Sequence, residues 1–116
     1  MKQYEIISVY NATEELADNK NLTSKEQWAL YNLRKDLRSH VEFQKEREQV
    51  ITGKYAKFAD ENGKIYGENY QNYLKELEEL NDMDIEWDKE KIKLPLVDGI
   101  NFKTIEALED FIEFII

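Results

Sequence analysis

From Thr23 to about Phe58 the chain runs without a proline, TSKEQWALYNLRKDLRSHVEFQKEREQVITGKYAKF, and this stretch limits the available folds more than any other feature. Thr23 and Glu26 have the spacing of a capping box, in which a hydroxyl accepts an orphan backbone N–H and the carboxylate three residues on reaches back to the cap. Ser24 with Gln27 offers the same pattern one residue later. Leu30, Leu33, Leu37 and Val41 fall on one helical face, and Ile51, Tyr55 and Phe58 return in the same phase. An unbroken helix of this length extends roughly 50 Å, longer than a compact domain of this size is wide, so other segments must pack along it. The stripe turns polar at Gln44 and Glu48. There the helix must bend, protrude, or bury polar groups that need partners. Gly53 is a second weak point, costing about 1 kcal/mol relative to alanine.

The flanking segments supply the packing. Residues 3–17, QYEIISVYNATEELA, group Ile6, Tyr10 and Ala17 as an amphipathic helix, although the β-branched and aromatic run from Tyr4 to Tyr10 also suits a strand. Helix is the preferred reading. Asp60-Glu61-Asn62-Gly63 marks a reversal, either as a brief hairpin between residues 57–59 and 64–66 or as a plain turn between helices. Beyond it, residues 68–81 space Tyr70, Tyr73, Leu74, Leu77 and Leu80 by three and four, which predicts a second helix antiparallel to the long one. The two tyrosines read as core residues whose hydroxyls reach the edge, rather than as a binding platform.

The period then changes from helical to alternating. Met83, Ile85 and Trp87 alternate with acids, and Ile92, Leu94 and Leu96 alternate in the opposite parity. An antiparallel hairpin centred on Lys89-Glu90 reconciles them, pairing Trp87 with Ile92, Ile85 with Leu94 and Met83 with Leu96, with Glu86 opposite Lys93 and Asp88 near Lys91. Pro95, lacking an N–H, places the second strand at an edge. A last helix is expected over TIEALEDFIEFII, capped by Asn101 or Thr104, with Ile105, Leu108, Phe111, Ile112 and Ile115 buried. The FIEFII end is held inside or serves as a contact surface. The expected fold is thus a single α+β domain over 1–116, mainly α: a long helix antiparallel to a second helix, a small β-hairpin and a C-terminal helix.

Chemistry has few places to reside. The chain has no cysteine, one histidine and four glycines, which removes thiolate sites and leaves no phosphate-cradling loop. His40 has Asp36 one turn earlier as a hydrogen-bond partner but no nucleophile or second ligand nearby, and reads as structural. Asp82, Asp84, Glu86, Asp88 and Glu90 resemble a calcium loop only superficially. Trp87 stands where the loop needs glycine, and Lys93 where it needs a bidentate glutamate. No cofactor, metal or catalytic residue is expected. Without a leader-like segment or a long apolar run, the expected address is cytoplasmic.

Charge is divided unevenly. Residues 1–58 carry ten Lys/Arg against nine Asp/Glu, whereas 59–116 carry six against sixteen, within a net charge of −9. An acidic half repels nucleic acid and anionic membrane, and suits a basic protein surface. The basic residues of the long helix are interrupted by Asp36, Glu42, Glu46 and Glu48 and read as a solvated face, leaving Arg34 and Arg38 as the only candidates for nucleic acid.

Three segments, NLTSKEQWALYNLRKDLRSHVEFQKERE, LKELEELNDMDIEW and IKLPLVDGINFKTIEALEDFIEF, together resemble a family of short uncharacterised proteins from phages of low-GC Gram-positive bacteria. That resemblance implies a phage or prophage origin and a non-enzymatic role. With the acidic half, it leads to the expectation of a protein-binding inhibitor of a host defence complex, such as a CRISPR effector, that occupies a basic nucleic-acid-binding surface through Glu76, Glu79, Asp82, Asp84, Glu86 and Asp88. The alternative expectation is a virion assembly or tail accessory protein that packs its long helix and FIEFII end into a homo-oligomer.

Overall fold

The computed structural model describes residues 1–116 and is built on one helix, α2, from Ser24 to Tyr55. Its start is the Thr23 capping box: the Thr23 hydroxyl accepts the Glu26 N–H and the Glu26 carboxylate accepts the Thr23 N–H. It passes through Gly53 and ends in a single 3-10 turn, Ala56–Phe58. α1, Gln3–Ala17, folds back antiparallel on the first half of α2, and α3, Gly67–Asn81, folds back antiparallel on the second half. Because the two flanking helices share α2 end to end instead of stacking on one another, the molecule measures 53 × 29 × 22 Å. Its radius of gyration of 18.0 Å exceeds the ~13 Å of a compact domain of this length.

The core is correspondingly split. Ile6, Val9 and Leu16 of α1 meet Leu30, Leu33 and Leu37 of α2 in a cluster of eleven buried side chains. Beyond the polar turn, only Ile51, Tyr55 and Leu80 form a second cluster. Between them lies Gln44, buried at 5% exposure, whose amide donates to Glu48 and to Asn81 at the end of α3. Asn81 and Glu48 answer the polar break in the stripe for the amide nitrogen, where hydrogen bonds replace its water, while the Gln44 Oε1 is buried without a partner. Gln3 of α1, also fully buried, donates to the His40 carbonyl one turn earlier.

The expected hairpin does not form. Met83–Trp87 is extended, but it lies beside the N-terminus, where Ile85 N–H donates to the Met1 carbonyl and Gln3 N–H to the Met83 carbonyl, with an antiparallel bridge between Lys2 and Asp84. The strand Ile92–Pro95, β1, pairs in parallel with Ile112–Ile115, β2, in the register Ile92 to Ile112. Alternation sets which face of a strand is apolar, not which strand it joins, and Ile85, Trp87 and Ile92 all still pack on the larger core. Consequently Glu86 has no ion pair with Lys93, nor Asp88 with Lys91. Lys89 instead reaches Asp36 at 2.8 Å.

The terminal helix is shorter than its periodicity suggests. α4 runs from Phe102 to Leu108, capped by the Asn101 side chain, and its N-terminus is tied to α1 because Glu15 accepts the Asn101 N–H and the Thr104 hydroxyl. After a turn at Glu109–Phe111 the FIEFII end becomes β2, burying Phe111 and Ile112 while leaving Ile115 exposed. At the other reversal only Gly63, with φ 78°, adopts positive φ, so the two-residue hairpin turn is absent. Asp60 closes that loop instead, accepting the N–H groups of Asn62 and Lys64 and the Tyr66 hydroxyl.

Candidate partner-binding surface

The six predicted contact residues fall on consecutive elements, and the fold treats them in three ways. Glu76, on α3, is engaged by Lys54 of α2 at 2.6 Å; that ammonium holds its carboxyl below the usual glutamate value. Asp84, in the extended segment, pairs with Lys2 at 2.9 Å and is held low by it. Glu79, Asp82, Glu86 and Asp88 are exposed and form no ion pair. Glu79 lines a groove of about 230 Å³ between α2 and α3 with Phe43, Arg47 and Met83. Arg47 therefore softens the potential at the α3 end, and the strongest uncompensated charge lies from Asp82 onward.

The local fold explains this display. α3 ends at Asn81, whose side chain is held by Gln44. The chain leaves as an extended segment anchored by Ile85 and Trp87, the latter edge-on to Phe111 at 5.2 Å between ring centroids. Alternation then turns Asp84, Glu86 and Asp88 outward. Residues 76–90 carry eight carboxylates and one lysine.

The basic residues considered for nucleic acid turn inward. Arg34 donates to the Thr13 hydroxyl and lies 5.0 Å over the Tyr10 ring, and Arg38 donates to the Tyr10 hydroxyl. His40 is half-buried against Trp87, while Asp36 serves Lys89 instead of the imidazole. No group of three or more His, Cys, Asp or Glu side chains is arranged to hold a metal ion, and no helix is long and apolar enough to cross a membrane.

One aromatic surface revises the expectation that Tyr70 and Tyr73 are both core, and a second, at Trp28 and Tyr31, was not marked by the sequence. Tyr66, Tyr70 and Tyr73 line a cleft of about 540 Å³ with Thr52, Ala56 and Ile65, where α2 ends and α3 begins. Tyr73 does send its hydroxyl to the edge, to Thr52, but Tyr70 is exposed. At the opposite end Trp28, 64% exposed, stacks on Tyr31. Both sets sit at spacings of three or four. That pattern locates them on one face but does not distinguish a buried face from an open one. No family model, curated protein or solved structure matches this chain.

Proposed function

We propose that this is a non-enzymatic, phage-type protein that acts in the host cytoplasm by binding another protein, an acidic inhibitor that covers a basic nucleic-acid-binding surface of a host defence complex. The observation that supports the reading is the exposed series Glu79, Asp82, Glu86 and Asp88, which lacks internal ion pairs on a segment whose Ile85 and Trp87 pack against the core. Carboxylates held on an anchored backbone present charge at little ordering cost, and complementary fields speed encounter with a cationic groove. Glu76 and Asp84 contribute less, since each already has a lysine. The test is expression in cells carrying an active CRISPR effector, read as transformation by a targeted plasmid. The wild-type chain restores transformation and the variant Glu79→Lys, Asp82→Lys, Glu86→Lys, Asp88→Lys does not. Equal protection by both would refute the assignment.

A second reading, a virion assembly or tail accessory protein, draws support from the 53 Å length and from exposed Trp28 and Phe102. Light scattering separates the two: a large homo-oligomer favours assembly, and a monomer or dimer favours the inhibitor.

A further inference from the structure

We infer that the groove at the N-terminal end of α2 binds a mononucleotide, with its base on the Trp28–Tyr31 stack and its phosphate on Arg34 and Arg38. The inference goes beyond the function proposed above and does not rest on it. It starts from two cations that lack a counter-charge. Arg34 and Arg38 are half-buried, yet neither belongs to an ion pair of the chain; those pairs are Lys2 with Asp84, Lys54 with Glu76 and Lys89 with Asp36. Glu42, one turn beyond Arg38, acts on it only from a distance. A cation partly withdrawn from water has lost hydration that an anion can replace.

The contacts that turn both side chains toward α1 occupy only one N–H of each. Arg34 donates through Nε to Thr13 Oγ1 at 2.9 Å, and Arg38 through Nε to the Tyr10 hydroxyl at 3.3 Å. Tyr10 touches both, because the Arg34 guanidinium also lies over its ring. Thr13 is fully buried, so the inner end of the Arg34 fork is fixed. The terminal amino groups of both forks make no hydrogen bond within the chain, and none is sealed from solvent. At a spacing of four the two side chains are neighbours on one helix face, oriented before any ligand arrives. Guanidinium groups with free terminal N–H donors match the oxygens of a phosphate.

The ring component lies on the same side of α2. Trp28 and Tyr31 stack with their planes 19° apart, and with Leu22, Ser24 and Gln27 they line a groove of about 460 Å³. Tyr31 precedes Arg34 by ~4.5 Å of helical rise and Arg38 by ~10.5 Å, the length scale of one nucleotide. Exposed aromatic faces accept a base by stacking. A lone phosphate leaves the stack unused, and a neutral ring leaves the guanidinium groups unpaired. A nucleic-acid strand would bring further phosphates against a chain of net charge −9, whereas a mononucleotide carries its charge only at the forks. The half of the sequence that contains this face is close to neutral, with ten Lys/Arg and nine Asp/Glu over residues 1–58.

Calorimetric titration of the full chain with AMP, adenosine and inorganic phosphate tests this. AMP is expected to bind at one site per chain, with adenosine and phosphate each weaker by about tenfold or more. Arg34→Gln combined with Arg38→Gln should lower AMP to the affinity of adenosine and leave adenosine unchanged. Because these arginines also tie α2 to α1, helical circular dichroism must match the wild type. Trp28→Ala, at an exposed position, should weaken AMP and adenosine alike and preserve their ratio, and this comparison decides the matter if the double variant unfolds. No binding of AMP at millimolar concentration, equal affinity for AMP and adenosine, wild-type AMP affinity in a folded double variant, or AMP binding untouched by Trp28→Ala would overturn the proposal.

Discussion

The two halves of α2 are packed on different principles. Its first half lies under α1, β1 and the buried parts of α4 and β2, within a cluster of eleven apolar side chains; its second half meets α3 through only three. The distal half compensates with polar ties: Gln44 to Asn81, Thr52 to Tyr73 and Lys54 to Glu76. Burial is worth roughly 25 cal/mol per Å² of apolar surface, whereas an exposed ion pair adds little. A single continuous helix can thus belong to a firm domain at one end and to a loosely held hairpin at the other.

The sharpest challenge to that contrast is a cavity in each half. Leu37→Ala, at a fully buried position, should cost about 3 kcal/mol and lower the urea midpoint of the whole chain. Leu80→Ala removes one of three distal core residues from a site that collapses more easily, and about 2 kcal/mol is expected. Its effect should be local. Hydrogen exchange should accelerate in α3 while α1 amides stay protected, and equal acceleration in both would show that the halves unfold as one unit.

Thr23→Ala removes the hydroxyl that accepts Glu26 N–H and should cost about 1 kcal/mol, read as lost protection in the first turn of α2 with α3 unaffected. The smallest effect concerns acid. Lys54 lowers the Glu76 carboxyl below its ordinary value of 4.5, so this contact contributes fully above about pH 4.5 and is lost as pH falls through the lowered value. Titration followed by NMR should show α3 loosening in that window. Glu76→Gln should abolish this acid-dependent component, and an unchanged α3 titration in the variant would remove the Lys54 contact from the account.

Much of the helical frame was legible because its signals are local. Thr23 with Glu26 marks a start, Asn62-Gly63 marks a reversal, and the spacing of Tyr73, Leu77 and Leu80 marks a packed face. The polar break at Gln44 was legible as a demand, though Asn81 as its answer lies 37 residues away. The strands were harder. Residues 83–87 and 92–96 satisfy one hairpin by parity alone, yet each joins a more distant segment whose choice depends on tertiary packing. FIEFII fits helical spacing through Leu108, Phe111, Ile112 and Ile115, and fits alternation through Ile112, Phe114 and Ile116. Its β-branched content was the signal favouring strand. The acidic surface was legible as composition. Which carboxylates remain free was not, because Lys2, Arg47 and Lys54 approach them only once the chain is folded.

One consequence of α2 concerns distance. Trp28 and Ala56 border aromatic surfaces at its opposite ends. Across 28 residues of helical rise they stand ~42 Å apart, a separation set by backbone geometry rather than by side-chain packing. The chain is therefore a ruler: a partner that touches both ends must offer matching sites at that interval, and lengthening α2 by one turn would move the marks by ~5.4 Å.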